Sequence, residues 1–238
     1  MKINRLDFTR VLKIIKSMDE NSVRFKENGE FGVGKESEFL IGRGINFNKS
    51  FGILDIDMLL KILDSINAVE INIEFDGLKM YIMNSSVGIK YGYNLADEKV
   101  VDSIDKQDFE AEEKKPEWTW VRTTFKIEDL NRLRKIISTF SGKSDTIYFK
   151  EEEGKLIVGV GSEKMFFGEL SLNSIGLIGK VNFEAKRFNS ILQVLDDKEI
   201  KFSFGFQQVN GIESKTQHSI LKIENQEFSW LLGALLSE

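Results

Sequence analysis

Two short stretches of this chain set cations at matched positions. Asp7–Ile15 reads DFTRVLKII and Asp129–Ile137 reads DLNRLRKII, so Arg10 aligns with Arg132, Lys13 with Lys135, and Ile14-Ile15 with Ile136-Ile137. Long cations of this kind contact phosphate oxygens, which are alike at every base pair, so the binding they give is salt-sensitive and blind to base sequence. Phe8, Val11, Leu12 and Ile15 recur at the i, i+3, i+4, i+7 spacing of a helix buried along one side. At about 100° per residue, Arg10 and Lys13 fall opposite that stripe, as do Arg132 and Lys135. A basic back on one helix is ordinarily just solvated. A greasy face and a basic back repeated together require an account of both. Lys61 and Lys186 face away from the apolar stripes of two further helices, while Lys16 and Arg134 flank theirs. No recognition-helix or zinc-finger pattern suggests base reading.

Catalysis finds little to work with. The chain has no Cys and a single His, His218, in a strand-like run that reads as a surface or cross-strand side chain. That leaves no nucleophile–base pair of the usual kinds. Asp57 stands at a helix start, where a carboxylate caps exposed amides, and Asp196-Asp197 reads as turn chemistry. Gly32-Val33-Gly34-Lys35 and Gly159-Val160-Gly161-Ser162 lack the spacing of a phosphate loop and are expected to be strand-end turns. No spacing asks for a metal, and no cofactor is expected.

Composition bounds the rest. The 238 residues are 41% hydrophobic and 11% aromatic, enough for a real core in one large domain or two ordinary ones. The absence of Cys fits a reducing interior. No run approaches the roughly 20 apolar residues of a membrane span, and MKINRLDF lacks the apolar core of a signal peptide. A cytoplasmic protein is expected. The net charge of −5 is concentrated: Leu95–Glu117 holds nine acids against four lysines, and the remainder is balanced. A near-neutral body with basic helix backs can carry a strongly positive local surface.

These elements need a scaffold that shows each helix two ways. Periodicity predicts a helix from Asp7, its expected N-cap, to Ser17 or Met18, and a hairpin of Val23–Lys26 with Phe31–Lys35. Strands over Phe39–Gly42 and Ile45–Ile53 precede a helix over Asp57–Ile66, and Val69–Phe75, Leu78–Asn84 and Val87–Tyr93 are strands. Leu95–Glu117, ending at the only proline, Pro116, reads as a linker, part of which can pair along a sheet edge. The second half replays the first: strand Trp120–Ile127, helix Glu128–Phe140, and a hairpin of Ile147–Lys150 with Lys155–Val160. Strands Met165–Leu172 and Lys180–Glu184, helix Lys186–Leu195, and strands Ile200–Phe206, Ser219–Ile223 and Phe228–Leu235 complete it. The organisation is thus α+β and internally duplicated, with domains over 1–94 and 118–238 around a 95–117 linker.

In this architecture, and in the phrases FGILDIDMLLKIL and TTFKIEDLNRLRKI, the whole chain resembles the DNA sliding clamps, most nearly those of tailed bacteriophages and then archaeal and eukaryotic ones. The resemblance implies two clamp-type domains, each with two helices packed on antiparallel sheets, in a ring of six domains, hence a homotrimer. It implies helices lining a channel for double-stranded DNA, with Arg10, Lys13, Lys16, Lys61, Arg132, Arg134, Lys135 and Lys186 facing the duplex. It implies a DNA polymerase as tethered partner, a separate ATP-dependent clamp loader, and, for a phage-encoded chain, the host cytoplasm. Clamp partners present hydrophobic peptides to a groove by the interdomain linker, for which Ile104, Phe109, Trp118, Trp120, Phe228 and Trp230 are the candidates here. A monomeric processivity factor of the same fold and a phage structural protein with no DNA role are the alternatives; an enzyme is not expected.

Overall fold

A computed structural model describes residues 1–35, 38–84, 86–115, 118–140, 144–162, 166–177, 179–195, 199–207 and 219–235. His218, Asp196, Asp197, Pro116 and Glu117 lie outside the described residues. The chain separates into two compact units, Met1–Lys35 with Phe39–Phe109, and Glu36–Glu38 with Glu110–Glu238.

The first unit runs β1 (Lys2–Asn4), α1 (Arg5–Lys16), β2 (Val23–Phe25), β3 (Glu30–Lys35), β4 (Glu38–Arg43), β5 (Phe51–Ile53) and α2 (Ile56–Ser65). It continues with β6 (Glu70–Asp76), β7 (Lys79–Asn84) and β8 (Ile89–Asn94). Strands order as β1-β6-β7-β8 in one sheet and β5-β2-β3-β4 in another array. The predicted apolar stripe of α1 (Phe8, Val11, Leu12, Ile15) is buried, and Ile14 with it. Phe8, Phe25, Phe47 and Phe51 stack edge-on and tilted at centroid distances of 5.0–6.5 Å, so the core is largely aromatic. Ile45–Ile53 is a strand only at Phe51–Ile53, because Asn48 takes a left-handed φ of 54° that breaks the extended run.

The helix starts also differ from expectation. Asn4, not Asp7, caps α1, its Oδ1 accepting the Leu6 amide at 2.8 Å, and Asp7 lies in the first turn. Asp55, not Asp57, caps α2, accepting the Met58 amide at 2.9 Å. In each case a side chain two or three residues upstream reaches the free amides first.

The acidic segment is more ordered than an extended linker. A single 3-10 turn spans Glu98–Val100 and α3 spans Lys106–Glu113. Leu95, Ala96, Val101 and Phe109 are buried, and Ala96 exchanges backbone hydrogen bonds with Gly52 of the edge strand β5. Lys26 pairs with Asp105 at 2.7 Å and Arg24 with Glu98 at 3.6 Å, so the segment's acids meet cations in β2 and just past its end. Four apolar side chains spread through an acidic sequence were enough to seat it.

The second unit runs β9 (Trp118–Lys126), α4 (Ile127–Phe140), β10 (Thr146–Glu152), β11 (Lys155–Ser162), β12 (Phe166–Asn173) and β13 (Lys180–Glu184). α5 (Ala185–Val194), β14 (Glu199–Gln207), β15 (Ser219–Glu224) and β16 (Phe228–Gly233) follow. Strands order as β12-β11-β10-β13 and β16-β15-β14-β9, all antiparallel, around Phe149, Phe183, Phe188, Phe202 and Phe204. The order of elements repeats that of the first unit, and Phe25 and Phe149, matched in sequence, are both fully buried. The glycine phrases are not turns. They lie inside β3 and β11, where backbone or ring comes too close for a side chain: a Cβ on Gly32 would meet the Ile104 carbonyl, and one on Gly159 the Tyr148 ring.

Candidate nucleic-acid and peptide interfaces

In the first unit α1 packs on α2 with opposed ends. Arg5, at the start of α1, donates Nε to the Ala68 carbonyl at 2.7 Å and Nη1 to that of Leu63 at 3.2 Å, just past and within the end of α2. Lys16, at the end of α1, reaches Asp57 Oδ2 at 3.1 Å near the start of α2. Each contact sets a charge against the complementary helix end or an ion partner. On the outward side Lys13 is exposed and Arg10 half-buried. Lys16 is partly engaged by Asp57, and Lys61 sits on an exposed face between Asp57 and Asp64. On the back of α1 Lys13 is thus displayed with Arg10 half-buried beside it, while the back of α2 carries more acid than base.

In the second unit the matched positions repeat this. Leu130, Leu133 and Ile137 are buried, and Arg132 and Lys135 are exposed. The Arg132 side chain is 66% exposed, with Asp129 one turn away at 3.4 Å, an arrangement that leaves it free to swing to a phosphate. Lys186 is exposed on α5, a helix with no acid in its sequence. Arg134 stands apart. In the repeat it occupies the place of Leu12, and its guanidinium turns inward: Nε donates to the Leu192 carbonyl at 2.8 Å, and Nη2 to those of Leu192 and Leu195. Nη1 holds Asn131 at 2.5 Å. Arg134 thus satisfies the carbonyls that end α5, the task Arg5 performs for α2 from a different place in its helix. Sequence spacing put Arg134 at the flank of its stripe and carried no sign of the carbonyls that hold it.

The six groove candidates separate. Phe109 is 1% exposed, Phe228 2% and Trp230 0%, so these three are core side chains, closed to a ligand as the protein stands. Ile104 donates its amide to the Gly32 carbonyl at 3.3 Å and lies along β3. Trp118 and Trp120 are half-buried on β9, their rings 6.4 Å apart.

Around Trp120 the second unit has a hollow of 410 Å³ lined by Glu113, Trp120, Arg122, Thr123, Thr124, Lys201, Ser203, Lys222 and Glu224. Strand register sets its floor in rows: Trp120–Gly205–Ile220, Arg122–Ser203–Lys222 and Thr124–Lys201–Glu224. Phe125, Phe202 and Phe204 point to the opposite, core side. Gly205 makes the wall possible, since a Cβ there would come within 3.2 Å of the Trp120 ring and 2.7 Å of Ile220. Lys222, 14% exposed, is held by Glu113 and Glu224, each at 2.7 Å. Burial alone would lower the pKa of its amine, but the two carboxylates outweigh burial and hold it above the ordinary lysine range. Arg122, Lys201 and Lys222 were not singled out from sequence. The signal was there in the alternation of Trp118, Trp120, Arg122 and Thr124 along one side of a predicted strand.

Among the described residues, no helix is long and apolar enough to cross a membrane. No family model and no curated relative matches the chain by sequence. Solved structures do. The chain is similar to the DNA polymerase III subunit beta sliding clamp of Bartonella birtlesii, at 13% identity and a TM-score of 0.66, over 99% of this chain and 66% of that one. It is similar to the Helicobacter pylori beta clamp bound to a DNA ligase peptide, at 15% identity and 0.64, over 99% and 64%. It is also similar to the DNA polymerase III subunit beta of Borrelia burgdorferi, at 14% and 0.65, over 100% and 63%. The chain thus spans a little under two-thirds of the length of these bacterial proteins. All three are bacterial proteins, so they support the clamp fold and lend no support to a particular affinity with phage, archaeal or eukaryotic clamps. Backbone agreement over nearly the whole chain establishes that this protein has the DNA sliding-clamp fold.

Proposed function

We propose that this chain is a DNA sliding clamp: copies of it close into a ring around duplex DNA, slide without reading sequence, and tether a DNA polymerase. It acts as a scaffold rather than a catalyst. The observation that carries the reading is the pairing of that fold with Arg10 and Lys13 on α1 and Arg132 and Lys135 on α4, cations kept at equivalent helix backs in the two units. Phosphate contacts from such side chains hold a duplex loosely enough to move along it.

A clamp ring has six domains in this reading, so a chain of two units closes as a homotrimer, the arrangement expected of the phage-type clamps that the sequence resembles. One four-stranded sheet in each unit ends on a strand of six or eight residues that is open among the described residues. β8 ends the sheet of the first unit, and β12, with Phe167 51% exposed, ends that of the second. Pairing β8 of one copy with β12 of the next is a head-to-tail contact that uses up both edges. Lys16, Lys61, Arg134 and Lys186 are secondary here; Lys186 is the best placed of them, and Arg134 acts within its own unit. Partner peptides, from the polymerase or from an ATP-dependent loader, dock at the Trp120 hollow. Tethering of this kind works by raising the polymerase's effective concentration at the primer end. The site of action is the cytoplasm, that of the host for a phage-encoded chain.

The test is retention on circular DNA after loading. The wild-type protein stays on closed circles, leaves when they are linearised, and sediments at three times the 27.3 kDa chain mass. Changing Arg10, Lys13, Arg132 and Lys135 together to Ala shortens retention without altering the fold. Equal, salt-insensitive retention by that variant, or a particle of one chain mass, refutes the reading.

A further inference from the structure

The hollow on β9, β14 and β15 offers one charged group that its neighbours leave uncommitted. Lys222 is engaged by Glu113 and Glu224, and Lys201, 71% exposed, stands 3.9 Å from Glu224. Arg122, exposed in the row between Trp120 and Thr124, has no ion partner among the described residues. A guanidinium presents a planar fork of donors that fits a carboxylate through two parallel hydrogen bonds. Beside it stands the Trp120 indole, laid across Gly205, which offers an aromatic surface to an apolar side chain. Trp120 and Arg122 are two residues apart on one face of a strand, about 6.6–6.8 Å along it. An extended segment lying alongside repeats that spacing between its own residues i and i+2.

We infer that the hollow recognises an extended acidic segment of a partner protein, in which an apolar side chain packs on Trp120 and a carboxylate two residues away takes the Arg122 guanidinium. The inference rests on the docking role given to this hollow above and specifies its ligand. Charge fits the choice: the hollow's cations Arg122, Lys201 and Lys222 outnumber its acids Glu113 and Glu224, and Arg122 is the one without an ion partner among the described residues. It also fixes a register. A carboxylate one residue from the anchor points to the other face of an extended segment and misses Arg122.

Fluorescence anisotropy with labelled synthetic octapeptides on the intact protein tests this. One peptide carries Phe with Glu two residues after it, a second has Gln in place of Glu, and a third has Glu one residue from Phe. A fourth reverses the order of the first. The better of the two i, i+2 acidic peptides is expected to bind about tenfold more tightly than the Gln and adjacent-Glu peptides, the size of one charge-assisted contact. Arg122→Gln should erase that preference, and Trp120→Ala should weaken every peptide, with both variants melting like the wild type. If all four peptides bind alike and Trp120→Ala still weakens them, the acidic preference is overturned and the docking role stands. If none binds, or if Trp120→Ala changes the oligomeric mass instead, both readings fall and the face belongs to contacts between copies.

Discussion

Arg134 gives the sharpest division between a cation spent inside its unit and one proposed to meet DNA. Its guanidinium donates three hydrogen bonds to the carbonyls of Leu192 and Leu195, the groups that α5 cannot satisfy internally. Arg134→Met keeps most of the side chain's bulk and removes the donors and the charge. A charge-assisted hydrogen bond contributes about 1.5–3 kcal/mol, and water takes up part of the loss at a half-exposed site, so a net loss of about 2 kcal/mol is expected. For a unit of this size that lowers its melting temperature by about 5 °C or more. Arg132→Ala removes a side chain whose only ion partner described is Asp129, one turn away at 3.4 Å, and should leave the melting temperature nearly unchanged. Retention on circular DNA should show the opposite order: weakened by Arg132→Ala, and preserved by Arg134→Met below its melting range. The assay pairs differential scanning calorimetry with DNA retention on the same preparations. A variant Arg134→Met that melts with the wild type yet loses DNA as Arg132→Ala does would refute the inward assignment.

Two further outcomes follow from local geometry. Asn4→Ala and Asp55→Ala should each destabilise the first unit by about 1 kcal/mol in urea titrations, and Asp7→Ala by much less, because Asn4 and Asp55 accept the free helix amides. Glu151 accepts from the Ser174 hydroxyl first, then from the Leu177 and Ile175 amides, and these bonds hold its pKa below the ordinary 4.5. A carboxyl depressed in the folded state adds stability that is present above 4.5 and is lost as pH falls through its folded value. Glu151→Gln should therefore flatten the acid side of the stability profile while leaving the slope above neutral pH unchanged. An unaltered acid limb would show that Glu151 is not the group responsible.

The duplication, the α+β class and most elements were legible in the residues because period and repetition are properties of sequence. A stripe such as Phe8, Val11, Leu12 and Ile15 has one way to be buried, and its matched copy fixes the second unit. The exposure of Lys13, Arg132 and Lys135 was legible for the same reason, since a side chain opposite a buried stripe meets solvent, whereas Arg10 at the matched position is half-buried. Tertiary structure alone decided which of the remaining side chains are spent inside. Phe109, Phe228 and Trp230 look in sequence like Trp120, yet they are closed in the core, while a glycine beneath Trp120 lets its indole lie against the sheet at a hollow. Arg134 resembles Arg132, yet it is drawn to carbonyls 58 and 61 residues away. Such outcomes depend on which unsatisfied group or ring the fold brings near. That proximity is set by strand register and helix packing across the whole unit, and no local spacing encodes it.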